Sequence, residues 1–206
     1  MATTGAGDTE LSEQDDAERN KARWRRQILA ARRALDSATR AREADALAEH
    51  SAELAAGCAV TCAYVPVGTE PGSLALLHAL RAQGSQVLLP RTREPGALDW
   101  AEFTDVDNLV PARHGLREPG GPALGPEAVA QADLVLLPAL AVDRSGTRLG
   151  RGAGFYDRSL AAARKARLVA VVRTEEVLPR LPREPHDIPV HWALTPAGLI
   201  RLGLTL

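Results

Sequence analysis

The chain has 206 residues, of which 45% are apolar and 25% charged, an ordinary composition for a soluble globular protein with one hydrophobic core. Its formal net charge of -1 gives no global field that would favour nucleic acid or a membrane surface. The N-terminal segment lacks the basic and apolar regions of a signal peptide, and no apolar run is long enough to span a bilayer, so we expect a cytoplasmic protein.

The first half of the chain alternates between helical and strand patterns. Residues 1–18 are polar, acidic and without period, which predicts a disordered tail. A helix is expected over 18–35, followed by a second helix that Ser37 caps and that stops at Gly57. The next patterns are a strand at 59–67, a helix at 73–83, a short apolar strand at 86–90 and an alternating segment at 97–103.

The second half predicts further buried strands. After a loop rich in Gly and Pro come a short helix at 126–132, a strongly apolar strand at 133–142, a helix at 155–166, an apolar strand at 167–172 and two β segments at 190–195 and 198–202. Strands that are apolar on both faces and alternate with helices favour a mostly parallel sheet covered on both sides. We therefore predict a three-layer, Rossmann-like α/β fold, with the tail 1–18 followed by a single domain at 19–206.

A glycine-rich loop is the most informative feature of the sequence. The segment RLGRGAGFYDR (148–158) follows the strongest predicted strand and precedes a predicted helix. Its three alternating glycines allow backbone N–H groups to approach a ligand, and Arg148 and Arg151 add positive charge. These properties suit a polyphosphate, although the spacing matches neither the P-loop nor the dinucleotide fingerprint. A flexible surface loop is the alternative interpretation.

The wider segment LLPALAVDRSGTRLGRGAGFYDRSL (136–160) closely resembles the signature of the 5-formyltetrahydrofolate cyclo-ligase family. Four other segments resemble elements of that family in the same order: KARWR (21–25), YVPVGTEPGS (64–73), GLREPGG (115–121) and LPREPHD (181–187). The chain departs from the family pattern at three positions: Trp24 replaces the usual Leu, Ala153 replaces Gly or Lys, and Phe155 replaces Tyr. These changes keep the backbone cradle but remove a hydroxyl at position 155.

The resemblance implies an ATP- and Mg²⁺-dependent enzyme that converts 5-formyltetrahydrofolate to 5,10-methenyltetrahydrofolate by phosphorylating the formyl oxygen. It assigns ATP binding to two N-terminal cations and the glycine loop: Lys21, Arg25, Arg148, Leu149, Gly150, Arg151, Gly152, Ala153, Gly154, Phe155 and Tyr156. It assigns the metal to Asp157 and Asp187. The other interpretations are a solvated basic helix for Lys21 and Arg25, a helix-dipole role for Asp157 and a turn role for Asp187.

The folate substrate needs a hydrogen-bonding group and flat apolar walls. The resemblance implies contacts from one cation, one carboxylate, the loop and the aromatic residues: Arg25, Glu70, Trp100, Gly152, Gly154, Phe155 and Tyr156. Glu70 is alternatively a turn carboxylate, and Trp100 is alternatively part of the core. We expect a monomer that acts on small molecules, without nucleic-acid or membrane partners.

Three other functions are compatible with parts of the sequence. A non-catalytic folate or nucleotide sensor of the same fold would bind both ligands without turnover. A sugar-phosphate isomerase or CoA-transferase-like enzyme could share the general fold, but it would not need Lys21 on a separate N-terminal helix. A nucleic-acid binder using the Arg-rich stretch 21–42 is disfavoured by the overall charge and the acidic N-terminus.

Overall fold

The computed structural model describes residues 6–93, 96–184 and 187–203, and it describes side chains from residue 17 onward, apart from that of residue 114. The α-helices of this part of the chain are α1 (Ala6–Ala34), α2 (Ser37–Ala55), α3 (Leu74–Ala82) and α4 (Phe155–Leu160). The strands are β1 (Val60–Cys62), β2 (Gln86–Arg91), β3 (Asp99–Glu102), β4 (Leu109–Pro111), β5 (Arg117–Pro119), β6 (Leu134–Pro138), β7 (Ala141–Asp143), β8 (Arg148–Leu149), β9 (Arg167–Val171), β10 (Val177–Leu178), β11 (Trp192–Thr195) and β12 (Gly198–Arg201).

Seven strands form the central sheet, in the order β12-β11-β9-β6-β1-β2-β3. The five inner strands are parallel to one another, whereas β3 and β12 pair antiparallel at the two edges. The register pairs Leu136 with Val169 at the centre of the sheet. This arrangement confirms the predicted mostly parallel sheet.

Both faces of the central sheet are buried, as the apolar strand runs predict. Leu134 and Leu136 pack in one cluster with residues of α2 and α3, including Leu47 and Leu76. Their neighbour Val135 belongs to a second cluster on the opposite face, together with residues of α4 and of the 3₁₀ helix at Pro126–Gln131. Because successive strand residues point to opposite faces, a strand apolar at every position requires cover on both sides. The fold is therefore a three-layer α/β sandwich.

A small second sheet, in the order β10-β7-β8, lies beside the carboxyl end of β6. It packs against α1 through a cluster that contains Ile28, Leu140, Leu149 and Leu181. The sequence predicted one strand over 133–142, but the apolar run divides after Pro138, and its last part joins this second sheet. Hydrophobicity alone does not reveal such a division, because both parts are buried.

Three helix boundaries differ from the prediction. Helix α1 begins at Ala6, so most of the segment predicted as a tail over 1–18 is helical, and residues 1–5 lie outside the described part. Extending a helix that is already anchored by buried residues costs much less than nucleating one. The N-cap of α2 is Asp36, whose carboxylate accepts from the N–H of Thr39, so Ser37 is not the cap. Helix α4 ends at Leu160, short of the predicted 166.

No helix in the described ranges is both long enough and apolar enough to cross a bilayer.

Candidate active site

A cavity of about 940 Å³ opens at the carboxyl ends of β1, β2 and β6. Tyr64 follows β1, Thr92 follows β2 and Ala139 follows β6, and all three residues line this cavity. In open α/β sheets, ligands bind in the crevice outside the carboxyl ends of the parallel strands. The volume lies near the upper end of the usual range for small-molecule sites, so there is room for more than one ligand.

The glycine loop forms one wall of the cavity, between β8 and α4. Gly152 and Gly154 have φ angles of 106° and 66°, in the region that residues with a Cβ rarely adopt. A Cβ at position 152 would lie 3.6 Å from the guanidinium of Arg25, and one at position 154 would lie 2.8 Å from that of Arg158. The loop therefore needs glycine at both positions, whereas Ala153 departs from the family pattern without disturbing them.

Two cations of α1 connect this helix to distant parts of the site. The ammonium of Lys21 lies 2.9 Å from the carboxylate of Glu184 and 3.4 Å from that of Asp187, and Lys21 is only 7% exposed. The Nε of Arg25 donates to the carbonyl oxygen of Gly150 at 3.1 Å, and its Nη1 pairs with Glu18 at 2.6 Å. The two cations predicted to bind the nucleotide therefore both lie at the cavity. Lys21 is held by Glu184 and Asp187, and Arg25 is held by the glycine loop.

The glycine loop also carries an ion pair across its own ends. The Nη2 of Arg148 lies 2.6 Å from Oδ1 of Asp157, and the Arg148 guanidinium lies 5.9 Å from the ring centroid of Tyr156. Helix α4 has only six residues. A helix this short provides only a weak dipole, so an anion placed here would be held mainly by the loop N–H groups and the arginines. Asp157 faces the same cavity as Asp187.

Glu70 lies in a tight turn after β1. Its Oε2 accepts from the N–H of Val67 at 3.0 Å, and its Oε1 pairs with Arg151 of the glycine loop at 3.1 Å. Burial raises the pKa of Glu70 above its ordinary value, and the hydrogen bond from Val67 and the charge of Arg151 oppose that rise. The hydroxyl of Tyr64 donates to the carbonyl of Pro71 and so fixes the turn. A carboxylate is therefore placed in the cavity with limited solvation.

Phe155 and Tyr156 line the cavity, but Trp100 does not. Trp100 is 0% exposed and belongs to the core cluster between β3 and the 3₁₀ helix at Pro126–Gln131, so the core alternative describes it and we do not propose it as a substrate contact. Its alternating segment places it on the inner face of β3, where strand periodicity predicts burial. The guanidinium of Arg158 lies 5.1 Å from the centroid of the Phe155 ring.

The sequence interpretation did not assign Arg32, which also lines the cavity. Arg32 is 1% exposed, and its guanidinium pairs with Glu176 at 2.6 Å and donates to the carbonyl of Ala139 at 2.7 Å. The spacing of the arginines could have identified Arg32, because it follows Arg25 by two helical turns and so lies on the same face of α1. Glu118, in the GLREPGG segment, is another unassigned residue of the lining, and it accepts from the N–H of Thr92 at 2.8 Å.

The residues available for a metal ion are few. Within the described residues, no group of three or more His, Cys, Asp or Glu side chains is arranged to hold a metal. Asp157 and Asp187 nevertheless both line the cavity that the glycine loop borders. Mg²⁺ commonly takes one or two carboxylates and completes its shell with substrate phosphates and water. The oxygen donors of this site fit Mg²⁺ brought in with a nucleotide.

The fold and the cavity are typical of an α/β protein that takes small molecules at the carboxyl ends of its parallel strands. The model of the 5-formyltetrahydrofolate cyclo-ligase family matches residues 17–196. A 5-formyltetrahydrofolate cyclo-ligase of Mycolicibacterium smegmatis is 48% identical over 191 residues, which cover 89% of this chain and 98% of that protein. The chain therefore belongs to the 5-formyltetrahydrofolate cyclo-ligase family.

Solved structures agree with this assignment. The 5,10-methenyltetrahydrofolate synthetase of Aquifex aeolicus superposes with a TM-score of 0.71 at 28% identity, covering 88% of this chain and 92% of that one. The 5,10-methenyltetrahydrofolate synthetase of Mycoplasma pneumoniae superposes with a TM-score of 0.68, covering 84% and 97% of the two chains. At 17% identity, this second likeness shows the fold alone.

Proposed function

We propose that this protein catalyses the ATP-dependent cyclisation of 5-formyltetrahydrofolate to 5,10-methenyltetrahydrofolate in the cavity described above. One observation carries the proposal: the glycine loop, the cations of α1 and the carboxylate of Glu70 all line a single cavity of about 940 Å³. A polyphosphate cradle and a separate carboxylate site in one cavity suit a reaction that joins a nucleotide and a second substrate.

The nucleotide phosphates are assigned to the positive side of the cavity. A compact ammonium on Lys21 suits a phosphate as a point charge, and the planar guanidinium of Arg25 suits two phosphate oxygens at once. The burial of Lys21 supports this role, because charge-assisted contacts are stronger where water is excluded. The glycine loop would contribute the rest of the ATP site: Arg148, Leu149, Gly150, Arg151, Gly152, Ala153, Gly154, Phe155 and Tyr156.

The folate is assigned to the neighbouring part of the cavity. Glu70 would accept a hydrogen bond from an N–H group of the pterin or near the reacting nitrogen, and Arg25 would reach the substrate from α1. The rings of Phe155 and Tyr156 would provide apolar walls, and the bare backbone of Gly152 and Gly154 would allow close approach. The raised pKa of Glu70 means that its carboxylate gains more from a ligand donor than a solvated carboxylate would.

The chemistry requires activation of an amide. The formyl carbon is a poor electrophile, so the γ-phosphoryl group is transferred to the formyl oxygen and ADP departs. N10 then attacks the formyl carbon and loses its proton, and the C–O bond breaks with release of phosphate. Phosphoryl transfer needs alignment and charge neutralisation more than covalent help from the protein. Lys21, Arg25 and Arg151 would neutralise phosphate charge, while Glu70 would hold the folate in line.

Magnesium is proposed as the metal that accompanies ATP, with Asp157 and Asp187 as its protein ligands. When bound, Mg²⁺ supplies positive charge against the phosphate oxygens. Asp187 is held by Lys21 and by the N–H of Glu184 at 2.8 Å, and Asp157 is held by Arg148. These contacts fix both carboxylates at the cavity before a metal arrives.

The decisive experiment follows the absorbance of methenyltetrahydrofolate as it forms from 5-formyltetrahydrofolate, with and without ATP. We expect formation of the product only when ATP and Mg²⁺ are both present. If the purified protein binds both ligands but gives no product above the control without enzyme, a non-catalytic binding protein would be the better description.

The cytoplasmic location, the monomeric state and the domain at 19–206 are further proposals that rest on the sequence. Size-exclusion chromatography with light scattering tests the monomer directly, because a dimer would double the mass of 21.9 kDa.

A further inference from the structure

The ion pair between Arg151 and Glu70 joins the two halves of the proposed active site. Arg151 lies between Gly150 and Gly152 in the loop assigned to the nucleotide, and Glu70 lies in the turn assigned to the folate. Their side chains meet at 3.1 Å across the cavity. The nucleotide is thus expected to compete with Glu70 for Arg151, and the folate is expected to compete with Arg151 for Glu70.

The two partners differ in how firmly they are held. The Glu70 side chain is 10% exposed, and the N–H of Val67 fixes its Oε2 at 3.0 Å. The Arg151 side chain is 56% exposed and projects from a loop whose flanking glycine at 152 has a positive φ. Turning Arg151 away therefore sacrifices little packing, whereas moving Glu70 would break its turn. Arg151 is the partner that can move.

We infer that Arg151 is a positioning residue that holds Glu70 until the nucleotide arrives, and that the triphosphate then takes Arg151 and releases Oε1 of Glu70 to the folate. This inference rests on the proposed function. A triphosphate carries several negative charges and many acceptor oxygens, so it outcompetes one carboxylate for a mobile guanidinium. The first ligand to bind bears the cost of breaking the ion pair, and the second ligand binds without that cost.

The exchange makes the two ligands cooperative. By linkage, a nucleotide that strengthens folate binding is itself bound more strongly in the presence of folate, by the same factor. It also gives an unusual expectation for a variant. Removing the cation of Arg151 leaves Glu70 free at all times, so the nucleotide-free protein should bind folate more tightly, although a positive charge has been lost from the site.

Isothermal titration of 5-formyltetrahydrofolate into wild type and Arg151→Ala, each without nucleotide, tests this expectation. The variant should bind more tightly by up to about fivefold, the upper end of what loss of one partly exposed ion pair gives. With the non-hydrolysable analogue adenylyl imidodiphosphate present, wild type should gain the same factor and Arg151→Ala should gain less. Arg164→Ala is the matched control, because Arg164 is exposed and its substitution removes the same charge at a different place. It should leave folate affinity unchanged.

The same titration in a Glu70→Gln background identifies the ion pair as the cause. There, Arg151→Ala should no longer tighten folate binding, because the pair is already absent. The inference is overturned if Arg151→Ala binds folate equally or more weakly than wild type, or if it tightens binding equally in both backgrounds. If wild type turns over substrate but these shifts are absent, only this inference fails. If wild type binds no folate with nucleotide present, the proposed function fails as well.

Discussion

The ammonium of Lys21 lies 3.4 Å from Oδ2 of Asp187, although 166 residues separate them in the chain. This contact joins the cation proposed for the nucleotide to a carboxylate proposed for Mg²⁺. It also holds α1 against the loop that contains Glu184, because the carboxylate of Glu184 lies 2.9 Å from the same ammonium. Lys21 therefore has both a structural and a ligand-binding contribution, and experiments on it must separate the two.

Lys21→Ala should raise the KM for ATP by about tenfold or more, since losing a charge-assisted contact costs roughly 1.5–3 kcal/mol. Lys165→Ala is the control, because Lys165 is exposed and is the only other lysine of the chain. Steady-state kinetics at saturating folate measure the effect, and a thermal melt of each variant reports the structural part. Equal ATP KM values in the two variants would remove Lys21 from the nucleotide site.

Phe155→Tyr should leave kcat/KM within about twofold of wild type, which is the effect of a side-chain change that disturbs no packing. The ring remains as the apolar wall and as the partner of the Arg158 guanidinium, 5.1 Å from its centroid. The family pattern also has Tyr at this position. The measurement is the initial rate over a range of folate concentrations. A large loss would mean that the cavity is shaped around Phe155 and has no room for the added hydroxyl.

Glu70→Gln should change the pH dependence of stability. Burial raises the folded-state pKa of Glu70 above the unfolded value of 4.5, so its contribution to stability is fully present below that value. The contribution is lost as the pH rises through the folded-state pKa. Glutamine does not titrate, so it does not lose stability in this way. The melting temperature of the variant minus that of wild type should therefore increase from pH 4 to pH 8. A constant difference across this range would contradict the raised pKa, and Glu49→Gln on the exposed side of α2 is the control.

Gly146→Ala should destabilise the fold more than Gly84→Ala. Both glycines have positive φ, at 90° and 80°, so either substitution incurs a backbone cost of about 1–2 kcal/mol. A Cβ at position 146 would also overlap the carbonyl oxygen of Val190, whereas nothing lies within 4 Å of one at position 84. We expect about 1–3 kcal/mol of additional loss at position 146, as for overpacking. Urea unfolding of both variants gives the comparison, and equal losses would show that the backbone near Val190 yields easily.

The sequence predicts the layers of this fold better than its sheet boundaries. Fully apolar runs such as 167–172 require cover on both faces, so the three layers follow from local pattern. The division of the run 133–142 does not follow from local pattern, because Ala141 and Val142 are as buried as Leu136 although they belong to a different sheet. Which strands pair is decided by contacts between distant segments, and those leave no periodic signal.

The candidate site divides in a similar way. The glycine loop is predictable because positive φ demands glycine at 152 and 154. The aromatic wall is predictable only in part: Phe155 and Tyr156 line the cavity as the sequence predicts, whereas Trp100 lies in the core. The alternating pattern around Trp100 is the same whether its buried face meets a ligand or the core. The ion pair of Arg32 with Glu176 spans 144 residues and lies outside any local pattern. Residue type and spacing therefore predict a class of ligand, while the long-range contacts around the site require the structure.

Asp157→Asn and Asp187→Asn should both lower kcat strongly and raise the Mg²⁺ concentration needed for half-maximal rate. Asparagine keeps the size of aspartate but removes its charge, so each change isolates the electrostatic contribution to metal binding. Asp157 already pairs with Arg148 at 2.6 Å, and Asp187 with Lys21 at 3.4 Å. Asp157→Asn therefore also removes the carboxylate that faces Arg148, which should weaken Mg²⁺ binding further, whereas after Asp187→Asn Lys21 keeps its ion pair with Glu184 at 2.9 Å.

Magnesium titrations of the two variants, beside thermal melts and the exposed control Asp45→Asn, separate these contributions. A metal ligand shifts the Mg²⁺ dependence, whereas a residue that only stabilises the fold lowers the melting temperature and leaves that dependence alone. If Asp187→Asn requires no more Mg²⁺ than wild type, Asp187 serves to hold Lys21 and is not a ligand. Asp157 would then be explained by its pairing with Arg148 at the start of α4, and the metal would depend on the nucleotide phosphates and water for its shell.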